Sequence, residues 1–223
     1  MSSSQKKIYF ATFNNDVDGG IVVTASHNPI DYNGMKFVRE GARPISGDTG
    51  LLDIKRLAEE NDFSAIGTKG SVSSLDSRPA YIQHLLTYVD VSVLSPLKIV
   101  SNPGNGGAGL ALDCLESSLP FEFVKVHHEP DGTFPHGIPN PLEIDNRAAT
   151  IDAVKENKAD LGIAWDGDFD RCFLFDHNGR FIEGYYLVGL LGVQLLEQNP
   201  GERIVHDPRL TWNTIELIEA NGG

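Results

Sequence analysis

The feature that most constrains this chain is an alternation of strand-like and helix-like segments between residues 97 and 198, punctuated by loops rich in glycine and proline. Leu97-Lys98-Ile99-Val100 reads as a short buried strand, and Asn102-Pro103-Gly104-Asn105-Gly106-Gly107 leads from it into a helix of small residues. A strand over 121–126, a Gly/Pro loop through Pro141, a helix over 147–157 and the strand Leu161-Gly162-Ile163-Ala164-Trp165 follow. This βαβαβ order predicts an α/β fold in which helices cover a parallel sheet. Residues 171–175 resume a strand, His177-Asn178-Gly179 turns it, and 185–198 forms one long amphipathic or largely buried helix. Strands returning through such a turn make the sheet mixed.

Before residue 95 the pattern changes. Polar residues precede Ile8-Tyr9-Phe10-Ala11-Thr12-Phe13, and Gly20-Ile21-Val22-Val23-Thr24 reads as a buried strand running into the polar turn Ala25-Ser26-His27-Asn28-Pro29. Helices are predicted over 51–61 and 76–88, which leaves few strands for an independent sheet. At the other end, Arg203-Ile204-Val205-His206 reads as a strand, Asp207-Pro208-Arg209 breaks it, and a helix over 212–220 stops at Asn221-Gly222-Gly223. One βα pair cannot bury its own apolar faces. The expected division is therefore 1–94 as the later part of a first domain, 95–200 as a whole second domain and 201–223 as the start of a third.

Charge narrows the partners. A net charge of −13 repels phosphate backbones at long range and no basic patch is visible, so no nucleic-acid partner is expected. Hydrophobic residues make up 40% of the chain, enough for real cores. No stretch approaches the roughly 20 apolar residues that cross a bilayer, and the N-terminus lacks a secretory pattern, so the expectation is a cytoplasmic protein without a membrane partner. Cys114 and Cys172 lie in apolar settings without CxxC spacing and are expected to be buried thiols.

The sharpest chemical signal is Asp166-Gly167-Asp168-Phe169-Asp170-Arg171. Three carboxylates alternate at a strand end, and a curled loop would converge them on a hard divalent cation. An EF-hand is excluded, because its glycine and glutamate positions hold Arg171 and His177 and the flanks are strands. A solvated acidic turn is the plainer alternative, but clustered carboxylates repel one another unless neutralised. Arg171 neutralises only part of that charge and could grip a phosphoryl oxygen at the same time, which points to magnesium with phosphate.

A second signal is Thr24-Ala25-Ser26-His27-Asn28-Pro29, followed by Asp31-Tyr32-Asn33-Gly34-Met35-Lys36. Ser26 could be a nucleophile and phosphate carrier, His27 and Asn28 could hold phosphoryl oxygens, and Lys36 could stabilise charge or move a proton. A hydrogen-bonded Ser/Asn/Pro turn is the structural alternative.

Taken together, TASHNP, DYNGMK and DGDFDR resemble the α-D-phosphohexomutase family, closest to its bacterial phosphomannomutase and phosphoglucomutase members. The likeness extends over SNPGNGGAG, the DGTFPHGIPNP loop and the EGYY helix start. It implies that Ser26 is phosphorylated, that Asp166, Asp168 and Asp170 bind Mg2+ together with an oxygen of that phosphate, and that Lys36 is the acid/base, with His27 and Arg171 near the phosphoserine. The implied reaction moves the Ser26 phosphate to a mannose or glucose 1- or 6-phosphate. The resulting hexose 1,6-bisphosphate, intermediate and activator alike, turns around and returns its other phosphate to Ser26. The family's four-domain pattern also implies that the start of the first domain, most of the third and all of the fourth are absent here, so weak or no mutase turnover is expected of the 223-residue chain.

Other clusters carry plainer readings. Adjacent His127 and His128 project differently and do not suggest a metal site. The 102–107 segment lacks the lysine and Ser/Thr of a Walker A loop and reads as a packing turn, Trp165 and Phe169 pack the acidic loop, and the 206–209 segment is not read as catalytic. Two further readings of the whole stay open: a noncatalytic, metal-stabilised phosphosugar-binding fragment, and a phosphatase of the haloacid dehalogenase type. For the phosphatase, a motif read from Asp168 puts Cys172 where threonine or valine belongs.

Overall fold

The computed structural model describes residues 5–25, 28, 31–63 and 67–223. Two sheets organise them. The first is antiparallel, with β1 (Gly19–Val23) beside β2 (Met35–Arg39) and β2 beside β3 (Arg43–Pro44), and it pairs Val22 with Lys36 and Val23 with Met35. Helix α1 (Gln5–Asn14) lies on one face. A Cβ built on Gly20 would stand 2.4 Å from Thr12 Oγ1, so this close helix–sheet approach requires glycine. Phe10 of α1 is buried with Tyr81 and Ile82 of α3 (Arg78–Leu86), and Leu115 of α4 (Ala108–Leu115) packs on that cluster. Between them α2 (Leu51–Glu60) buries no residue and ends where Asn61 turns left-handed at φ 53°.

The second sheet carries the βαβαβ unit. Its strand order is β5 (Glu122–Lys125), β4 (Lys98–Asn102), β6 (Leu161–Trp165), β7 (Cys172–Asp176), β8 (Phe181–Ile182). The first three are parallel and the last two run antiparallel, so the sheet is mixed as expected. Helix α5 (Ala148–Glu156) sets Val154 against Val100, Ala153 and Ala159 in the core. A Cβ on Gly162 would meet Val154 at 2.7 Å, which marks where helix and strand come closest. Asp160 Oδ2 accepts from the Lys98 backbone N–H at 2.8 Å and pins the start of β6 to β4. The 177–179 turn forms, with Asp176 accepting from the N–H groups of Asn178 and Arg180.

Several expectations are corrected. Residues 203–206 form no strand, because among the described residues no sheet edge is paired to take their backbone groups. Instead α6 (Gly184–Gln198) packs on α7 (Trp212–Ala220), with Gly192 against Ile218 and Ile204. The α6 helix is less buried than its composition suggests: Tyr186, Leu190, Leu191 and Leu195 are exposed and only Gly189, Gly192 and Leu196 are buried. Both cysteines are exposed and unpaired by disulfide. Cys114 lies on the outward side of α4, whose inward positions are Ala108, Gly109 and Leu112, and Cys172 opens β7 on an exposed position. The sparse first region does hold a sheet, built from two short strands that its sequence did not announce. No helix among the described residues is long and apolar enough to cross a membrane.

Candidate functional site

Strand β6 ends at Trp165, and the chain turns through 166–171 before β7 returns. The turn is fixed from inside and from behind. The Asp166 N–H donates to Arg171 O at 3.3 Å and the Phe169 N–H to Asp166 O at 3.1 Å, while Phe169, at φ 48°, is buried. Behind the loop, the Gly107 N–H donates to Gly167 O at 3.0 Å, and a Cβ on Gly106 would stand 2.6 Å from that same oxygen. The 102–107 segment is thus the packing turn its sequence suggested, and its glycines let one loop back onto the other. Phe134 and Pro139 of the long Gly/Pro loop close over Gly167.

This frame brings the three predicted ligands together: one carboxylate oxygen from each of Asp166, Asp168 and Asp170 lies within 4.8 Å of the others, and among the described residues no other His/Cys/Asp/Glu group does so. Each acid is held differently. Asp166 is fully buried and satisfied, accepting from the Arg171 backbone N–H at 3.1 Å and from Arg171 Nε at 2.8 Å. Asp170 lies 3.7 Å from Arg171 Nε. Asp168 is 10% exposed, and both of its buried oxygens accept no hydrogen bond. Orphaned carboxylate oxygens are costly unless a charge meets them. Facing two further carboxylates, they fit a hard divalent cation such as Mg2+.

Lys36 reaches this cluster from the other sheet. Its Nζ stands 3.6 Å from Asp168 Oδ2, a Coulombic contact beyond hydrogen-bond range. The approach depends on the segment between β1 and β2, which Thr24 N–H closes onto Gly34 O at 2.9 Å; a Cβ on Gly34 would press on Thr24 O. Ser26 and His27 lie outside the described residues. Asn28 is exposed, and its N–H and Nδ2 both donate to Ala25 O, at 3.1 and 2.9 Å. Arg171 stands at the loop as expected, with Nε engaged by Asp166.

Beyond β4 and β6, a cleft of about 300 Å³ is lined by Asn102, His127, His136, Asn140 and Trp165. His127 and His136 stack with ring centroids 3.7 Å apart, and His136 Nδ1 is 2.8 Å from Asn105 Oδ1. Burial, and then the neighbouring His136, hold the His127 pKa below its usual value. Sequence spacing gave no hint of this pair, since the long Gly/Pro loop creates it. His128 turns the other way, its Nε2 2.8 Å from Asp113 Oδ1. In the 206–209 segment, Asp207 is hydrogen-bonded by Arg209, which lowers its pKa to about 2.

Two domain models of one family match this chain: phosphoglucomutase/phosphomannomutase alpha/beta/alpha domain I over residues 4–65, and domain II over 79–179. The chain belongs to the phosphoglucomutase/phosphomannomutase family. Within that family it is 60% identical to a phosphomannomutase of Salmonella montevideo, over 99% of this chain and 50% of that protein. It is 61% identical to a protein of Xanthomonas campestris strain B100 named phosphohexose mutases, over 98% of this chain and 49% of that one. The chain spans about half the length of these relatives. A crystal structure of a phosphoglucomutase/phosphomannomutase family protein from Burkholderia thailandensis superposes with a TM-score of 0.83 at 33% identity, covering 93% of this chain and 44% of that one.

Proposed function

We propose that the protein is a phosphomannomutase, an intramolecular phosphotransferase that interconverts mannose 1-phosphate and mannose 6-phosphate through phosphorylated Ser26 and a mannose 1,6-bisphosphate. The observation that carries this reading is the meeting of Asp166, Asp168 and Asp170 with Lys36 from the other sheet. Three acids suit a cation, and an ammonium beside them suits an oxygen that gains or loses a proton. The curated relatives named phosphomannomutase, from Salmonella and Escherichia coli at 60% and 58% identity, supply the sugar. The division into 1–94, 95–200 and 201–223 belongs to the same proposal, supported by one sheet lying before residue 95 and the other after it.

Residue by residue, Asp166, Asp168 and Asp170 would hold Mg2+, which when bound offsets charge on the phosphoryl group. Ser26 Oγ carries the phosphoryl group and gives it to the sugar's unphosphorylated hydroxyl: the P–Oγ bond breaks as the new P–O bond forms. Lys36 relays the proton: the one lost by the sugar hydroxyl is balanced by the one gained at Ser26 Oγ. After the bisphosphate turns around, the same residues act in reverse on its other phosphate. Arg171, and with it His27 and Asn28, would orient phosphoryl oxygens, while Arg171 also keeps the buried Asp166 charge compensated. The proposed setting is the cytoplasm, where charged sugar phosphates are retained.

A second reading, phosphoglucomutase activity in the same site, is favoured by the Xanthomonas relative, whose name covers phosphohexoses generally. Side-by-side assays with mannose 1-phosphate and glucose 1-phosphate, each primed with its 1,6-bisphosphate, separate the two. The proposal expects faster formation of mannose 6-phosphate and loss of both reactions in Ser26→Ala. Measurable turnover that is equal in Ser26→Ala and the parent chain would overturn it.

A further inference from the structure

We infer that Asn105 is a positioning residue for the acidic loop: it locks together the two segments that grip Gly167, the residue between Asp166 and Asp168, and so sets how well the loop holds a cation. This rests on reading the three aspartates as cation ligands. Asn105 is buried, with its backbone in the left-handed region at φ 62°, which asparagine tolerates better than most side chains. Its backbone and side-chain polar groups are all engaged, and each meets the segment that follows β5. Its N–H donates to His127 O at 2.7 Å and its Nδ2 to Glu129 O at 2.9 Å, while its carbonyl accepts from the Asp131 N–H at 2.9 Å. With Nδ2 spent, Oδ1 is left to accept from His136 Nδ1 at 2.8 Å.

Both segments that Asn105 joins press on Gly167. On one side the next two residues approach it: the Gly107 N–H donates to Gly167 O at 3.0 Å, and Gly106 comes so close that a Cβ there would stand 2.9 Å from Gly167 Cα. On the other side, a Cβ on Gly167 would meet the Phe134 ring at 3.3 Å and Pro139 at 3.6 Å. Gly167 has no side chain of its own to anchor it, and its neighbours carry like charges that push apart whenever no cation is bound. A hard cation, in turn, needs its oxygens placed to within about 0.2 Å. Asn105 keeps the two grips on Gly167 in register, and its loss would loosen the loop at the point where two ligands meet. The effect passes through Gly106, Gly107 and the segment that carries Phe134 and Pro139.

Calorimetric titration of Mg2+ into the 223-residue chain and its Asn105→Gly and Asp160→Ala variants tests this, with urea midpoints recorded for each. Asn105→Gly suits the backbone at φ 62° but loses both side-chain bonds, and Asp160→Ala loses the bond that pins the opposite end of β6. The expected result is about tenfold weaker Mg2+ binding in Asn105→Gly and binding within about twofold of the parent in Asp160→Ala, although both unfold at lower urea. A role confined to stability would weaken binding in both variants alike or in neither, and either result overturns the positioning role while the cation site stands. If Asn105→Gly does not unfold cooperatively, His136→Phe, which removes one of the same bonds at an exposed position, carries the test: about threefold weaker binding is expected, and parental binding overturns the role. Absence of Mg2+ binding to the parent overturns the cation reading and the role of Asn105 with it.

Discussion

The two sheets hold their functional loops in contrasting ways. In the five-stranded sheet, β4 is buried from Ile99 to Asn102, Phe175 and Val154 are fully buried, and the 166–171 loop is hydrogen-bonded at Asp166, Gly167, Phe169 and Arg171. In the three-stranded sheet only Val22 and Val38 are buried, while Ile21, Val23 and Met35 face outward, and the Thr24–Gly34 bond closes the segment that follows β1. The contrast shows where each kind of chemistry can be kept. Three like charges converge only where surrounding structure overdetermines the backbone, whereas the lysine that faces them comes from a lighter scaffold.

That contrast can be broken by substitution. The largest effect is expected in the core beneath the acidic loop: Phe175→Ala should cost about 4 kcal/mol in urea unfolding, against roughly 2 for Val22→Ala in the smaller sheet. Equal costs would remove the distinction between the two scaffolds. Next, Arg171→Ala leaves the buried Asp166 carboxylate without its side-chain partner and should cost about 3 kcal/mol. Asp168→Asn should move the other way, raising stability by about 1 kcal/mol in Mg2+-free buffer because it removes a charge whose oxygens accept no hydrogen bond, while abolishing Mg2+ binding. A destabilised Asp168→Asn would mean that this carboxylate is structural.

The smallest effect is a pH dependence. His127 is held below its usual pKa of 6.5, foremost by burial and then by His136. The unfolded chain therefore takes up a proton that the folded chain resists, so stability falls as pH drops below 6.5 and levels off beneath the folded pKa. Above 6.5 both states are neutral and the contribution vanishes. His127→Asn, which tolerates the backbone φ of 43° at this position, should flatten that slope. An unchanged slope in the variant would assign the pH dependence to other groups.

Much of this was legible in order along the chain. The strand Leu161–Trp165 and the helix Trp212–Ala220 have the bounds their patterns predicted, and DGDFDR announced its convergence because alternate acids at a strand end have few other uses. The failures share a physical cause. Arg203-Ile204-Val205-His206 has strand-like residues but no neighbouring strand among the described residues, while β2 and β3, which the sequence did not announce, form where β1 offers an edge to pair with. The Lys36–Asp168 contact and the His127–His136 stack join residues that only the tertiary fold brings together.

The central claim is that Ser26 carries the phosphoryl group and the 166–170 aspartates carry the cation. Incubating the chain with mannose 1,6-bisphosphate and Mg2+, then mapping the phosphorylated peptide by mass spectrometry, tests it directly. The account predicts one Mg2+-dependent phosphoryl group on Ser26, stable to hydroxylamine and lost in Ser26→Ala and Asp168→Asn. A hydroxylamine-labile phosphate on Asp166, Asp168 or Asp170 would contradict it, because the acidic loop would then supply the nucleophile.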